Sequence, residues 1–282
     1  MAIFTNQATL SYRNGSVSSN VVTGEIVEAL SATKNALTET YSAGDTVTYV
    51  VAVFNSGTTA MNNVSITDDL GAYTFGAGTV VPLTYVTGSV AYYLDGILQP
   101  TPAVTSGADL RVSGITVPAG GNALIIYQAR INEFAPLGVD GEITNTATIE
   151  NGNESVTASD TINALESPVL TITKALDPAT VTENGQLTYT LTVQNYGNTD
   201  AVATDDLAIT DTFDPILTNI SVLYNGVAWS EGNEYNYNEA TGLFATVPGN
   251  ITVPAATYSQ DAVTGEWNVV PGTSTVVVTG TV

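Results

Sequence analysis

Neither cysteine nor histidine occurs among the 282 residues. Their absence removes disulfides, thiol chemistry, imidazole acid–base catalysis and the common zinc ligand sets. Positive charge is nearly as scarce, with five Lys and Arg against 27 Asp and Glu and a formal net charge of −22. That balance disfavours phosphate-bearing partners, both nucleic acid and anionic membrane surfaces, and keeps free copies soluble and mutually repelling. Long hydrophobic runs are lacking, so no membrane span is expected. The opening residues Met1–Tyr12 hold no basic region followed by an apolar run. No secretory signal is therefore expected, and the chain is expected to leave its cell by another route or on lysis.

Thr, Val, Ala, Asn, Ser and Gly dominate what remains. This is the vocabulary of half-buried strands and polar turns. With 44 % hydrophobic residues the chain can sustain a packed core, and its length suits two domains. Thr46–Phe54 alternates Val47, Tyr49, Val51 and Val53 with Thr46, Thr48, Val50 and Ala52. Turn signals recur at intervals of roughly 8–12 residues and no helical period persists, so the predicted fold is all-β, built from β-sandwiches.

Two repeats run through the chain. Lys34 in SATKNAL aligns with Lys174 in TITKALD, and Gly44–Gly57 with Gly185–Gly197 after a one-residue gap. Ile66-Thr67-Asp68 aligns with Ile209-Thr210-Asp211, and ITVPAGG from Ile115 with ITVPAAT from Ile251. Asp95-Gly96 aligns with Asn225-Gly226, both preferred two-residue hairpin turns. Ala123–Ile131 aligns with the terminal STVVVTGTV. The first repeat then continues into ITNTATIENGNESV, Ile143–Val156, and the second has no such continuation. Its counterpart, FTNQATLSYRNGSV, stands at Phe4–Val17.

The predicted organisation is thus an N-terminal donor-strand arm (1–30), a complete sandwich (31–165) and an incomplete sandwich lacking its last strand (166–282). An incomplete sandwich exposes an apolar groove and unpaired backbone groups, which an extended segment fills by strand addition. Ile3–Val22 is the expected filler, with Phe4, Asn6, Ala8 and Leu10 as the donor-strand residues. Inserted into the next copy it makes a head-to-tail contact that propagates a filament. Folded back into its own second domain it closes a monomer, and about 20 extended residues reach far enough for that, about 65 Å.

The only lysines, Lys34 and Lys174, hold the same place in the two repeats. Each repeat offers an aspartate after Ile-Thr (Asp68, Asp211) and each can be paired with an asparagine (Asn145, and Asn6 on the arm). Lysine, carboxylate and asparagine are the ingredients of a spontaneous isopeptide bond. Burial lowers a lysine's pKa and frees its amine as a nucleophile, and it keeps a carboxylic acid protonated so that it can polarise the amide and shuttle the proton.

TK near the start of each repeat, TVTYxxxVxNxG, ITD, ITVPAGG and the closing ITNTAT together resemble the domain-of-unknown-function eleven repeat of prokaryotic surface proteins. In outline that repeat is similar to Cna-type adhesin domains. The resemblance implies Ig-like, Cna-like sandwiches in tandem, with isopeptide bonds Lys34–Asn145 assisted by Asp68 and Lys174–Asn6 assisted by Asp211. Asp69 is an alternative acid to Asp68, although the position shared with Asp211 favours Asp68. The Pro that usually follows the aspartate is missing in both repeats.

No cofactor and no metal is expected; Asp68-Asp69, Asp205-Asp206 and Asp211/Asp214 read as solvated turn carboxylates before calcium ligands. Trp229–Tyr237 is the expected exposed recognition surface. The expected function is structural and not enzymatic: a self-associating subunit of an extracellular filament on a cell or spore surface. A monomeric adhesin or glycan-binding module, its arm closing its own second domain, is the alternative.

Overall fold

The computed structural model describes residues 2–26, 28–152 and 154–282, and among these there is no α-helix, only strands, turns and one short 3-10 turn at Ala203–Asp205. The chain divides into two compact units. The first comprises Met1–Glu39, Gly44–Asn132 and Ile143–Ile162, and the second Thr40–Ala43, Glu133–Glu142 and Asn163–Val282.

The first unit is a β-sandwich. One sheet orders Ile97–Gln99, Ala91–Leu94, Asn122–Ile131, Thr46–Asn55 and Leu30–Ala36. The facing sheet places Met61–Asp68 between Leu110–Val117 and Glu142–Asn151, with Glu154–Ala164 beyond. Three of these strands recur below: the lysine strand Leu30–Ala36, the aspartate strand Met61–Asp68 and the asparagine strand Glu142–Asn151. The predicted alternation is realised, with Val47, Tyr49, Val51 and Val53 buried, as are Val64, Ile66, Val112 and Ile149 of the other sheet. Each such side chain contributes about 1.5–3 kcal/mol by leaving water.

The second unit repeats the first sheet in the same order: Val227–Trp229, Thr218–Tyr224, Gly272–Thr281, Gln186–Asn195, Leu170–Asp177. Asp95-Gly96 and Asn225-Gly226 both have positive φ at both residues and close equivalent hairpins. The repeated Asn-x-Gly also has a physical cause. Asn55 donates to Thr59 O and Val117 O and accepts from Gly57 N–H, while Asn195 donates to Thr199 O and Val253 O and accepts from Gly197 N–H. One buried amide thereby satisfies the backbone of a turn that the sheet ladders leave unpaired.

The facing sheet of the second unit is shorter. Thr210–Thr212 pairs with Leu243–Thr246, which pairs with Tyr235–Asn238. Thr210–Thr212 is the aspartate strand of this repeat and lies at the end of its sheet. The edge that the asparagine strand covers in the first unit is unpartnered here among the described residues.

The arm differs from the single extended donor strand expected from the sequence. Ala2–Asn6 pairs with Val22–Ile26, and Thr9–Tyr12 with Gly15–Ser18, so the arm is a β-hairpin turning at Arg13 and Asn14. Its two halves are offset by one residue at Ser19, whose backbone N–H donates to Ala8 O while its hydroxyl accepts from Ala8 N–H. The hairpin reproduces two strands of the first unit, Glu142–Asn151 and Glu154–Ala164. The expectation failed because the second side of the hairpin, with Gly, Ser, Thr and Glu at most positions of Gly15–Ser18 and Val22–Ile26, shows little apolar periodicity, although a turn signal was present in Arg13-Asn14-Gly15.

Candidate functional site

The first unit brings Lys34, Asp68 and Asn145 into one buried cluster. Lys34 lies opposite Val51 in the sheet ladder, so its side chain points into the sandwich. Lys34 Nζ donates to Asp68 Oδ2 at 2.6 Å, with both side chains essentially inaccessible. The asparagine strand pairs with the aspartate strand, Ala147 opposite Asp68 and Ile149 opposite Ile66, which carries Asn145 into the same space. Asn145 is fully buried, and its Oδ1 has no hydrogen-bond partner. An unsatisfied buried acceptor of this kind is costly to maintain.

Two stacked tyrosines flank the cluster, Tyr49 and Tyr127, with ring centroids 5.5 Å apart. The Tyr127 hydroxyl donates to Asp68 Oδ2 at 2.7 Å and accepts from Asn145 Nδ2 at 3.0 Å. Lys34 Nζ lies 4.9 Å from the Tyr49 ring centroid. Burial lowers the Lys34 pKa, opposed by the Asp68 carboxylate. Burial raises both phenols, and the Asp68 charge raises Tyr127 further. Asp69 stands apart: its Oδ1 accepts from Gly71 N–H and Thr146 N–H, both at 2.9 Å, tying the end of the aspartate strand to the asparagine strand. The contact to Lys34 is made by Asp68.

Tyr127 escaped the sequence reading. Alternation marks it as an inward residue of Asn122–Ile131, and nothing local signals that its hydroxyl meets a carboxylate and an amide from two other strands.

The second unit holds a partial copy. Lys174 Nζ lies 2.5 Å from Asp211 Oδ2, but the lysine side chain is 39 % exposed and the aspartate 18 %. Lys174 stands over Tyr189, which stacks on Phe213. Every residue of Leu170–Asp177 is exposed. Leu170, Ile172, Lys174 and Leu176 occupy the face that Leu30, Ala32, Lys34 and Ala36 present in the first unit, where Leu30 and Lys34 are buried. An apolar groove of 180 Å³ runs along this face, lined by Leu170, Ile172, Val193, Leu207, Ile209 and Ile251.

The arm supplies the remaining sequence-predicted residues. Phe4, Asn6, Ala8 and Leu10 are all exposed, although their counterparts Ile143, Asn145, Ala147 and Ile149 are buried. The Phe4 ring lies over Gly24, its neighbour across the hairpin. Asn6 faces Val22.

In Trp229–Tyr237, Ser230–Asn233 and Asn236 are exposed, but the aromatic rings are not the exposed recognition surface expected. Trp229 stacks on Tyr224, Tyr235 is buried against Phe244, and the Tyr237 hydroxyl is hydrogen-bonded to the backbone of Leu217. These rings belong to the core of the second unit and its margin. No group of three or more acidic side chains placed to hold a metal occurs among the described residues. Nor is any helix among them long and apolar enough to cross a membrane.

No family model matches the chain, and no curated protein does. Among solved structures it is similar to BcpA, the major pilin subunit of Bacillus cereus, at 12 % identity over 96 % of this chain and 73 % of that one, TM-score 0.37. It is also similar to the pilus backbone RrgB from Streptococcus pneumoniae, at 14 % identity over 86 % of this chain and 55 % of that one, TM-score 0.36. A third is the collagen-binding subdomain of the Enterococcus faecalis surface protein ACE, at 10 % identity over 50 % of this chain and all of that one, TM-score 0.30. Likeness at this level lends nothing to the assignment of a function.

Proposed function

We propose that the chain is the subunit of an extracellular, surface-borne filament, in which the arm hairpin of one copy fills the open edge of the second unit of the next. The observation that carries this reading is the reciprocal exposure of two matched surfaces. The face of Leu170–Asp177 is open where its counterpart is covered, and the arm exposes the residue series that does the covering in the first unit. The register of the first unit, transferred to the contact, sets Ala8 opposite Asp211, Thr9 opposite Thr210 and Leu10 opposite Ile209. Asn6 then arrives at Lys174 as Asn145 arrives at Lys34. Such a contact is head-to-tail and repeats without closing. It removes two exposed strand edges at once, which net charge alone would not protect from wrong pairing.

Covalent locking completes the proposal. The neutral Lys34 amine attacks the Asn145 side-chain carbonyl carbon, the Nζ–Cγ bond forms, and the amide nitrogen leaves as ammonia. Lys174 and Asn6 do the same between copies, with Asp211 in the place of Asp68. The reaction is a single turnover on the protein itself, driven by proximity in a dry core. Tandem sandwiches similar to the domain-of-unknown-function eleven repeat and to Cna-type domains suit this role.

Removing residues 1–26 tests assembly. The full chain is expected to form polymers visible by electron microscopy and light scattering, and the shortened chain to remain a folded monomer that adds to no filament. Polymers from the shortened chain, or a strictly monomeric full chain, would refute the reading; the latter is the result if the arm closes its own second unit.

A further inference from the structure

Three contacts in the first site form one continuous chain. Lys34 Nζ meets Asp68 Oδ2 at 2.6 Å, the same oxygen meets the Tyr127 hydroxyl at 2.7 Å, and that hydroxyl meets Asn145 Nδ2 at 3.0 Å. The chain starts at the attacking amine and ends at the nitrogen that amide formation must expel. The other Asp68 oxygen is engaged by the Leu70 backbone N–H at 3.1 Å. The carboxyl group therefore reaches the amide through the tyrosine.

We infer that Tyr127 is a catalytic residue of the self-reaction, relaying a proton from Asp68 to the departing nitrogen of Asn145. The inference rests on the amide-bond reading above. Protonated Nζ begins with three hydrogens and the product amide keeps one. One proton passes to Asp68; attack at Cγ then turns Nδ2 into an amine nitrogen with a free lone pair, and the hydroxyl, which in the resting site donates to Asp68 and accepts from Nδ2, reverses both bonds, giving its own proton to Nδ2 as it takes one from the carboxyl. The Cγ–Nδ2 bond breaks and ammonia leaves. The second proton stays on Asp68 or departs with ammonia as ammonium. Burial and the Asp68 charge keep the phenol well above its ordinary pKa, so it is protonated at the start of each transfer.

The two sites are then chemically unequal. Tyr127 lies opposite Tyr49 in the ladder of the first unit, and Val278 holds the corresponding place opposite Tyr189. With no hydroxyl at 278, the bond between copies forms more slowly than the bond within one.

The test is cell-free synthesis of the full chain, stopped at intervals, with intact mass and peptide mapping following the loss of one ammonia at Lys34–Asn145. Tyr127→Phe preserves the ring stack on Tyr49, and a cooperative thermal transition checks its fold. Its amide formation is expected to slow roughly 100-fold or more, the size of a lost general acid–base step. Replacing Tyr127 by 3-fluorotyrosine keeps shape and hydroxyl but changes acidity, and is expected to shift the rate, which a purely structural role would not do. A wild-type chain that never loses ammonia refutes the amide-bond reading and the relay together. A wild-type chain that reacts, with Tyr127→Phe and the fluorotyrosine protein keeping pace, refutes the relay alone. Should Tyr127→Phe fail to fold, the fluorotyrosine rate decides.

Discussion

Lys34 and Lys174 occupy the same rung of two equivalent sheets, opposite Val51 and Leu191, yet Lys34 is sealed in the core while the Lys174 side chain is 39 % exposed. The local sequence around them is similar; the difference is the strand that covers one and not the other.

That contrast sets the stability of the two ion pairs. In an Asn145→Ala background, where Lys34 cannot form its amide, Asp68→Ala is expected to destabilise the first unit by about 3–5 kcal/mol, because it strands a buried cation. Asp211→Ala in the free subunit is expected to cost about 1 kcal/mol or less, because water screens the partly exposed Lys174 pair. Denaturant melts of the two variants check both values.

The arm's exposed face should matter to assembly and not to folding. Leu10 is 66 % exposed, so Leu10→Asp is expected to change the melting of the free subunit by less than about 0.5 kcal/mol. It places a charge against Ile209 in the proposed contact and is expected to abolish polymers, as scored by light scattering.

Lys34 also implies a pH dependence with a definite sign. Its folded pKa lies below the unfolded value of 10.5, so between the two the unfolded chain binds the extra proton. The Lys34 contribution to stability is therefore best above pH 10.5 and worsens as pH falls through the lowered folded value. Comparing Asn145→Ala with Lys34→Met/Asn145→Ala isolates this from the tyrosines. The single variant should lose stability relative to the double as pH falls from 10.5, and parallel profiles would remove the claim.

Asn6 tests the covalent link separately from the contact. Polymers of Asn6→Ala should still form but dissolve to single chains on boiling in detergent, whereas wild-type polymers leave a ladder whose linked peptides contain Lys174 and Asn6 and lack one ammonia. A ladder that survives the substitution removes Asn6 from the scheme.

Much of this was legible in the chain because strand alternation and turn chemistry are local. Val47, Tyr49, Val51 and Val53 announced their face, and Asp95-Gly96 and Asn225-Gly226 their turns. The pairing of each lysine with its aspartate was legible through repetition, since the same residues recur in the same order in both repeats. Tyr127 was not, because its role arises where three strands distant in sequence meet. Trp229 and Tyr235 misled for a related reason: a cluster of aromatics among polar residues looks exposed until a core forms around it. The arm's second strand stayed hidden because Val22–Ile26 is ordered by pairing with Ala2–Asn6 and carries little apolar period of its own.

The most direct measurement uses the absence of cysteine. Leu10→Cys and Ile209→Cys are made in separate chains that also carry Asn6→Ala, so that no amide joins copies, then mixed and oxidised, and run without reductant; each chain then has one thiol, and the proposed register sets the two opposite one another across the contact. The filament account predicts a disulfide heterodimer in the mixture and a ladder when both substitutions share one chain. No heterodimer, with the doubly substituted chain running as a compact cross-linked monomer, would contradict it.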